Sequence, residues 1–435
     1  MSPTLSKEAQ TQLQTLLDEQ VTAGHMPSVH LTVGSPTSVL FTGRAGVLDP
    51  LDPESRQTKP DDTMWFASTS KLITSVIYLQ LVDRGLLTLD TDMRKKFAPL
   101  DKVAERIWGG VKDGQPVWKG EYKGPVKLGW LLNQSSGFGG EFGDEVQAWK
   151  AYSDVGKGFV NSCKVENLIN TPITFEPGTH YEYGNGAEWL ALMFPTVVGE
   201  EYEAYLQREV CGPLGMKETT FYPFGNEWED RLLPVRWGDG TDEGGKLDWK
   251  KLEEVKGLRA EGLCLPRTRE EIEYPAGGGG VYSTTENYAR LLQHLMAHYL
   301  SLSDSSVPRP ASPLLSDASV ASLFKGTLAE SAYQPMADIL NRIRGFTGAD
   351  TLEAGEADWT TGMAIFQPKG RARRGDFGRH AGSVGWGGAA GTEYWIDPSA
   401  QISVVWTTQM LPTGNPMVAA AKLEVENLVY KLLAA

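Results

Sequence analysis

The chain has 435 residues, a formal net charge of −14 and a hydrophobic content of 41%, which is enough for a large core or two lobes. The acidic balance argues against nonspecific nucleic-acid binding, which requires a basic face. The chain has too few cysteines for a disulfide framework: Cys163, Cys211 and Cys264. No stretch approaches the ~18 consecutive apolar residues of a membrane span. The N-terminus lacks the charged segment followed by an apolar segment that is typical of a signal peptide. The sequence therefore predicts a soluble cytoplasmic protein that binds neither nucleic acid nor membrane.

The N-terminal region is predicted to be a helix followed by a hairpin. Ser6 can cap a helix. Its apolar residues recur at helical spacing: Leu13, Leu16, Leu17 and Val21. Residues 29–33 and 38–42 are then typical of two strands around a Gly-Ser-Pro turn.

The next helix carries Ser68 and Lys71 in its first turn, after the extended residues 63–66. Positions i and i+3 share one face of a helix, so this hydroxyl and amine can meet. Burial would favour the neutral amine of Lys71, although neutrality near pH 7 needs a shift of roughly 3 pKa units and so the help of neighbours. The pattern indicates a nucleophilic serine activated by lysine, but Ser-x-x-Lys also arises by chance and does not suffice alone.

Residues 85–275 are predicted to be helical segments joined by irregular connections. Short helices are expected at 126–133, 186–197 and 202–210. Residues 222–262 form a long loop or lid. The aromatic-rich segments 108–118 and 228–249 either wall an acyl pocket or pack in the core. The glycine run 277–280 lacks the lysine of a phosphate-binding loop, and we expect close backbone packing there.

Tyr183 and Asn185 stand at alternate positions between a Pro-Gly turn and an apolar helix. A phenol close to a lysine ammonium is stabilised as phenolate, so Tyr183 and Lys71 could share one proton. Tyr183 would then act as general base or acid toward Ser68 and the leaving group. Asn185 offers an amide to Lys71 or to a substrate carbonyl. Simple packing of a half-buried aromatic ring is the alternative explanation of the tyrosine.

The C-terminal region returns to β structure. Residues 392–396 and 402–406 flank Asp-Pro-Ser-Ala, which is a hairpin signal, and Pro416 starts a last amphipathic helix. Together with the N-terminal hairpin, these elements predict an α/β (α+β) fold. We expect a central antiparallel sheet built from both termini and flanked by the N- and C-terminal helices, with an inserted, mainly helical lobe.

The ends and the middle of the chain differ in character, which defines two lobes. We expect one domain over residues 1–435, with an α/β lobe of residues 1–67 and 276–435 and a mainly helical lobe of residues 68–275. Ser68 stands at the boundary between them. The active site is therefore expected at the junction of the lobes.

The glycine-rich residues 379–391 precede the final hairpin. Such glycines let a substrate lie against an exposed strand edge, with a backbone N–H available to an oxyanion. Two tripeptides in this stretch are candidates for the motif, His380-Ala381-Gly382 and Trp386-Gly387-Gly388.

These motifs carry a family resemblance. Ser68-Thr69-Ser70-Lys71 and Tyr183-Gly184-Asn185 resemble the Ser-x-x-Lys and Tyr-x-Asn motifs of the serine β-lactamase and D,D-peptidase superfamily. The chain is most similar to the branch that holds class C β-lactamases, family VIII carboxylesterases and the lovastatin-type acyltransferases of fungi. The supporting stretches cover most of the chain: residues 79–85, 131–137, 175–178, 213–216 and 277–284.

The third motif departs from the lactamase form, which carries Lys-Thr-Gly. By its spacing to Pro398, the resemblance favours Trp386-Gly387-Gly388, the form typical of family VIII esterases, and makes His380 a loop residue. Because this motif has no lysine or histidine, it offers no cationic partner to a substrate carboxylate. The Trp386 indole in its place favours contact with an apolar acyl or alkyl group. The departure weakens a β-lactamase function and favours ester chemistry.

The resemblance implies a β-lactamase/D,D-peptidase-like fold and a serine esterase or acyltransferase of secondary metabolism that works through a covalent acyl-enzyme. Ser68 is the expected nucleophile, and Lys71 and Tyr183 are the expected proton-transfer residues. Substrate and oxyanion contacts are expected from Asn185, Trp386, Gly387, Gly388 and Ala389. The oxyanion donors would be the backbone N–H groups of Ser68 and Ala389.

The expected substrate is an ester or thioester, with water or an alcohol as acceptor and an acyl-carrier protein or another acyl thioester as candidate donor. We expect no cofactor and no metal. Two alternatives stay open. One is a β-lactamase or D-Ala peptidase, and the other is a catalytically inactive binding protein of the same fold.

Three weaker signals point elsewhere. Ser383 lies in a near-match to the Gly-x-Ser-x-Gly elbow, but a hairpin follows it rather than a helix. His294 and His298 are spaced i, i+4 like a metal pair, yet no third ligand is evident, so two helix-surface histidines are expected. The arginines of the loop 371–374 are either solvated or a contact for an acidic acyl-carrier partner.

Overall fold

The computed structural model describes most of the chain. The described residues are 3–52, 54–153, 162–225, 228, 230–238, 248, 251–254, 257–258, 264–265, 268–342, 351–367 and 377–434. None of the helices in these residues has the length and apolar character that a bilayer crossing requires. The arginine loop 371–374 lies outside the described residues, as does about half of the predicted lid 222–262.

The central element is an antiparallel sheet. The longer strands of the chain are β1 (Ser28–Gly34), β2 (Val39–Gly46), β3 (Arg106–Lys112), β4 (Gln115–Glu121), β5 (Ala357–Trp359), β6 (Ala364–Phe366), β7 (Ser383–Gly388), β8 (Thr392–Asp397) and β9 (Ile402–Thr407). Seven of them form one sheet in the order β5-β6-β7-β8-β9-β1-β2. Two-residue strands add small pairings: Met64–Trp65 with Tyr282–Ser283, Arg236–Trp237 with Met410–Leu411 and Glu253–Glu254, and Gly257–Leu258 with Cys264–Leu265.

Helices cover the sheet and build the remainder of the fold. The α-helices are α1 (Lys7–Thr22), α2 (Ser70–Asp83), α3 (Ala98–Val103), α4 (Leu128–Leu132), α5 (Asp144–Tyr152), α6 (Val165–Ile169), α7 (Gly186–Val198), α8 (Tyr202–Leu206), α9 (Thr285–Ser301), α10 (Asp317–Ser322), α11 (Tyr333–Arg342) and α12 (Pro416–Leu433). After α8 the chain continues through a π-turn, Gln207–Cys211, into the short helix Gly212–Leu214.

The sheet joins the two ends of the chain. β1 pairs with β9, with His30 opposite Thr407. Trp406 of β9 belongs to the core beneath α1 and α12, whereas its neighbour Val405 belongs to the larger core on the opposite face. Because both faces are covered, every residue of β9 is buried, unlike those of a strand with one solvated face. The predicted antiparallel sheet with flanking terminal helices is confirmed.

The terminal helices begin where the sequence predicts. Ser6 accepts a hydrogen bond from the Ala9 N–H at 3.1 Å, which caps α1. Asn415 accepts one from the Met417 N–H at 3.0 Å, which caps α12 with Pro416 as its first residue. Both caps satisfy backbone donors that a helix start leaves without intrahelical partners.

The region predicted as helices and irregular connections also contains a hairpin, β3–β4. Two register shifts interrupt its pairing, near Trp108 and Val111, so its alternation of apolar and polar residues is broken in the sequence. Trp108 is buried against Trp118 and Trp149, with ring centroids 5.7 and 4.9 Å away. Core packing, one of the predicted roles of this segment, therefore holds for Trp108, whereas the other residues of 108–118 are half-buried or exposed.

The histidines of α9 were expected on the helix surface, and that prediction is wrong for His298, whereas His294 is half-buried. His298 is fully buried, with Nε2 2.9 Å from Asp317 Oδ1. His294 accepts a hydrogen bond from the Leu314 N–H at 3.0 Å. The segment after α9 folds back and covers both rings, which helical spacing alone does not reveal. Among the described residues no group of three His, Cys, Asp or Glu side chains is arranged to hold a metal ion.

A buried ionic cluster ties α12 to the sheet. It consists of Arg379, Glu393, Lys422 and Glu426. All four side chains are at most 8% exposed, and Arg379 Nη2 lies 2.8 Å from Glu426 Oε2. Such a cluster is stable only while all its charges are present, because removing one leaves the others desolvated without compensation.

Candidate active site

Ser68 lies in a single 3-10 turn, Ala67–Thr69, that leads directly into α2. Ala67 has a φ of 47°, in the left-handed region that non-glycine residues rarely adopt. Two hydrogen bonds hold the turn: Ser70 Oγ donates to the Ala67 carbonyl at 2.6 Å and accepts from the Val281 N–H at 3.0 Å. The half-buried Ser68 side chain is therefore presented from a fixed backbone.

Lys71 is buried one turn along the chain, with 6% exposure. Its Nζ donates to the Gly278 carbonyl at 2.9 Å and lies 4.6 Å from the centroid of the Tyr183 ring. Burial lowers the pKa of Lys71, but the charges of Tyr183 and Glu188 and a hydrogen bond with Tyr183 outweigh it, so the pKa is raised. The prediction of a neutral Lys71 amine is therefore wrong for this structure, because Tyr183 and Glu188 favour the protonated ammonium.

Tyr183 lies between Lys71 and Trp386. Trp386 Nε1 donates a hydrogen bond to Tyr183 Oη at 3.0 Å, and the two ring centroids are 5.0 Å apart. Trp359 packs edge-on against Trp386 at 4.5 Å and fixes the indole. The phenol oxygen thus accepts a hydrogen bond from a buried donor and stays close to an ammonium, an arrangement suited to proton transfer.

Asn185 is buried next to Tyr183 and lines the same cavity. Its Nδ2 donates to the Gly139 carbonyl at 2.7 Å, and the Gly140 N–H donates to the Tyr183 carbonyl at 3.0 Å. These bonds fasten the Tyr-Gly-Asn segment to the Phe138–Gly140 turn. One N–H of the Asn185 amide is therefore bound to the turn.

The Trp386-Gly387-Gly388 motif forms the second half of β7. The first half of β7, Ser383–Gly385, pairs with β6 on one side, and its Val384 and Gly385 also pair with β8 on the other. The second half, Trp386–Gly388, pairs with β8 alone in the described part of the chain. Gly388 packs against the turn before Ser68: a Cβ there would lie 2.5 Å from the Phe66 carbonyl oxygen. This close approach brings Gly388 and Ala389 beside the Ser68 turn.

The rival candidates lie away from the cavity. His380 sits in a loop at the opposite end of β7, with Nδ1 2.8 Å from Asp397 Oδ2. Ser383 is buried at the start of β7 and donates to the His380 carbonyl at 2.6 Å. Neither side chain faces Lys71, which agrees with the choice of Trp386-Gly387-Gly388 as the third motif.

Ser68, Lys71, Tyr183 and Ala389 line one cavity of about 390 Å³. Besides Tyr183, six aromatic residues contribute to the cavity wall: Trp65, Phe142, Phe221, Phe224, Trp237 and Tyr282. Trp237 comes from the segment 228–249, so part of that segment does wall the cavity. The cationic side chains among the described lining residues are Lys71 and Lys150, and Lys150 Nζ lies 3.6 Å from Glu141 Oε1. A largely apolar acyl group suits this wall.

Sequence reasoning missed Glu188. This glutamate lies in the first turns of α7 and is 1% exposed, although the helix around it is strongly apolar. An acidic residue inside an apolar run, five positions after Tyr183, was a signal that the sequence did contain. Its position also accounts for Gly278 in the glycine run 277–280, since a Cβ there would overlap Glu188 Oε1. The prediction of close backbone packing there is confirmed.

Comparison with known proteins gives consistent relatives. The acyltransferase calJ of Penicillium decumbens is 26% identical over 85% of this chain and 81% of that protein. The lovastatin esterase of Penicillium rubens is 28% identical over 57% of this chain and 58% of that protein. Unliganded simvastatin synthase (LovD) from Aspergillus terreus superposes with a TM-score of 0.79 at 19% identity, covering 99% of this chain and 100% of that one.

The structural match, the sequence relatives and the family model support different conclusions. At 19% identity the structural match establishes the shared fold alone. The sequence relatives are esterases and acyltransferases, so the β-lactamase-like scaffold serves acyl transfer in the proteins that this chain resembles. The family model described as Beta-lactamase matches residues 13–427. The chain therefore belongs to the beta-lactamase family.

Proposed function

We propose that the protein is a serine esterase or acyltransferase that works through a covalent acyl-enzyme. The observation that carries the proposal is the grouping of Ser68, Lys71 and Tyr183 on one aromatic-walled cavity, with Tyr183 oriented by the Trp386 indole. A nucleophile, a proton acceptor and a group that orients the acceptor are the parts that covalent acyl transfer requires. The division into two lobes, residues 1–67 with 276–435 and residues 68–275, is part of the same proposal and puts this site at their junction.

In the first half of the reaction, Ser68 Oγ attacks the substrate carbonyl while its proton passes to the Lys71–Tyr183 pair. The oxyanion is stabilised by the backbone N–H groups of Ser68 and Ala389. Support for the second donor comes from Gly388, whose backbone packs against the residues preceding Ser68. Tyr183 then protonates the leaving group, and the bond from the carbonyl carbon to that group breaks.

In the second half, water or an alcohol attacks the acyl-enzyme. The same pair accepts the proton of this acceptor and returns it to Ser68 Oγ as the acyl group departs. Lys71 Nζ lies 4.6 Å from the centroid of the Tyr183 ring, close enough for the two side chains to exchange this proton. The raised pKa of Lys71 means that the pair must lose one proton before it can accept that of Ser68. We therefore expect acylation to accelerate with rising pH.

The substrate that fits best is an ester or thioester with a mainly apolar acyl chain. The aromatic wall favours apolar contact, and the nearby Lys150 is already paired with Glu141. A cytoplasmic acyl thioester, free or on an acyl-carrier protein, is the donor we propose. Asn185 and the edge formed by Trp386, Gly387 and Gly388 would orient the substrate carbonyl.

Intact-mass spectrometry tests this function. The protein is mixed with p-nitrophenyl esters or acyl thioesters, with and without alcohol acceptors. An acyl adduct that disappears faster when an alcohol is present, with formation of the new ester, would support acyl transfer. Turnover of nitrocefin comparable with ester turnover would instead favour a β-lactamase, and the absence of any adduct would favour an inactive binding protein.

A further inference from the structure

Glu188 is an ionisable side chain that the proposed reaction steps do not use. It is 1% exposed, in a helix whose neighbouring side chains Trp189 and Leu190 are fully buried. Among the described residues its Oε2 atom is buried without a hydrogen-bond partner. A carboxylate in such a place is costly unless a positive charge compensates it, so its environment calls for an explanation.

Gly278 connects this carboxylate to Lys71. Lys71 Nζ donates to the Gly278 carbonyl at 2.9 Å. On the other side of the same residue, the Glu188 carboxylate packs against the Gly278 backbone, which helps to hold the pKa of that carboxyl down. A Cβ on residue 278 would overlap Glu188 Oε1, so only glycine lets the carboxylate pack this closely against the backbone. Both side chains are thus anchored to one residue.

We propose that Glu188 is a positioning residue that fixes Lys71 through Gly278 and supplies the negative charge that keeps the Lys71 ammonium protonated before catalysis. The inference rests on the proposed function, because it assigns Glu188 a part in preparing the Lys71–Tyr183 pair. Glu188 itself touches no reacting atom.

The surrounding charges agree with this role. Burial raises the pKa of Glu188, and the Lys71 charge and the backbone N–H groups of Glu188 and Gly278 offset part of that rise. The titratable groups that face the pair are Tyr183 on the side of Lys71, and Tyr202 and Tyr274 on the side of Glu188. Both of these latter phenols are buried, and burial raises their pKa. Among the described residues, Glu188 is thus a carboxyl group whose negative charge acts on Lys71, after Tyr183 in size of effect.

This arrangement predicts how the acylation rate of a Glu188 variant depends on pH. Acylation needs the Lys71–Tyr183 pair to lose one proton, and the Glu188 charge opposes that loss. Replacing Glu188 by glutamine keeps the shape but removes the charge, so the pair should lose its proton at lower pH. A nearby opposite charge typically shifts a pKa by about 1 to 3 units, so we expect the acid limb of the rate profile to move down by at least about one unit.

The experiment measures the rate of Ser68 labelling by a fluorophosphonate probe, from mildly acidic to mildly alkaline pH, in the full chain. Glu188→Gln is compared with the wild type and with Glu203→Gln. Glu203 is a matched control because it is also largely enclosed and hydrogen-bonded, to Thr220 and Gln207, but has no interaction with Lys71. We expect the acid limb to shift in Glu188→Gln only. A rate that falls equally at all pH values, with no shift, would overturn the inference and leave Glu188 a purely structural role.

A second pair of variants covers the case in which Glu188→Gln fails to fold. Gly278→Ala pushes the carboxylate away from the backbone, whereas a Cβ on Gly279 meets no atom within 4 Å. The acid limb of the pH–rate profile for Ser68 labelling should move to lower pH in Gly278→Ala and keep its position in Gly279→Ala. This expectation holds whatever the change in the maximal labelling rate of either variant. Equal profiles in these two variants would overturn the inference. Loss of labelling in Ser68→Ala supports the proposed function independently of either result, so the two failures can be told apart.

Discussion

The hydrogen bond from Trp386 to Tyr183 gives a quantitative prediction. Trp386→Phe keeps an aromatic ring between Tyr183 and Trp359 but removes the Nε1–H donor that lies 3.0 Å from Tyr183 Oη. A neutral hydrogen bond contributes a net of about 0.5–1.5 kcal/mol, so the variant should acylate about 2- to 10-fold more slowly. The loss should act through Tyr183, because that phenol is the acceptor.

A double-mutant cycle tests this route. Acylation rates are measured for the wild type, Trp386→Phe, Tyr183→Phe and the double variant. Loss of the phenol alone should cost about 10²- to 10⁴-fold, as removal of a general acid or base does. In the Tyr183→Phe background, Trp386→Phe should have almost no further effect, because its acceptor is gone.

Trp359→Phe is the matched control. It removes the same indole N–H and a similar volume next to Trp386, but among the described residues the Trp359 Nε1 atom has no hydrogen-bond partner. Because a phenylalanine retains most of the packing of Trp359 against Trp386 and Tyr183, its effect on acylation should depend far less on the Tyr183 phenol than that of Trp386→Phe. The reasoning is refuted if Trp386→Phe slows acylation by the same factor in both backgrounds.

Three further predictions concern stability and the oxyanion site. Arg379→Met breaks the buried ionic cluster and should lower the free energy of unfolding by about 3–5 kcal/mol, whereas Arg208→Met, on an exposed pair, should change it little. Burial raises the pKa of Glu182 from 4.5 to about 7, so the folded state keeps a proton that the unfolded chain releases. Wild-type stability should fall by about 3 kcal/mol as pH rises between these values, and Glu182→Gln should remove that fall. Gly388→Val should press the end of β7 away from Phe66 and slow acylation by about 10²- to 10³-fold.

Each of these has its own contradicting outcome. Equal unfolding midpoints in urea for Arg379→Met and Arg208→Met would show that the cluster contributes little. A stability difference between Glu182→Gln and the wild type that stays constant from mildly acidic to neutral pH would contradict the raised pKa of Glu182. An unchanged acylation rate in a folded Gly388→Val protein would mean that the oxyanion is bound elsewhere.

The parts of the site that depend on local spacing were predictable from sequence. Ser68 and Lys71 are separated by one helical turn, and Tyr183 precedes an apolar helix, so short-range geometry and the family resemblance sufficed. The terminal strands and helix caps followed from β-type runs, turn signals and capping residues, again within a few positions of one another.

The remainder depends on contacts between distant segments. The charge of Lys71 is set by Tyr183 and Glu188, more than a hundred residues away in the chain, and local burial alone gave the opposite sign. The burial of His298 depends on the loop that returns to Asp317. The β3–β4 hairpin was missed because its register shifts break the alternation by which strands are detected.

The most direct test of the central claim is the identity of the nucleophile. A fluorophosphonate probe is applied to the wild type, Ser68→Ala and Ser383→Ala, and the adduct is counted by intact mass and located by peptide sequencing. We predict one adduct in the wild type and in Ser383→Ala, located on Ser68, and no adduct in Ser68→Ala. Labelling of Ser68→Ala together with its loss in Ser383→Ala would contradict the assignment of Ser68 and the mechanism built on it.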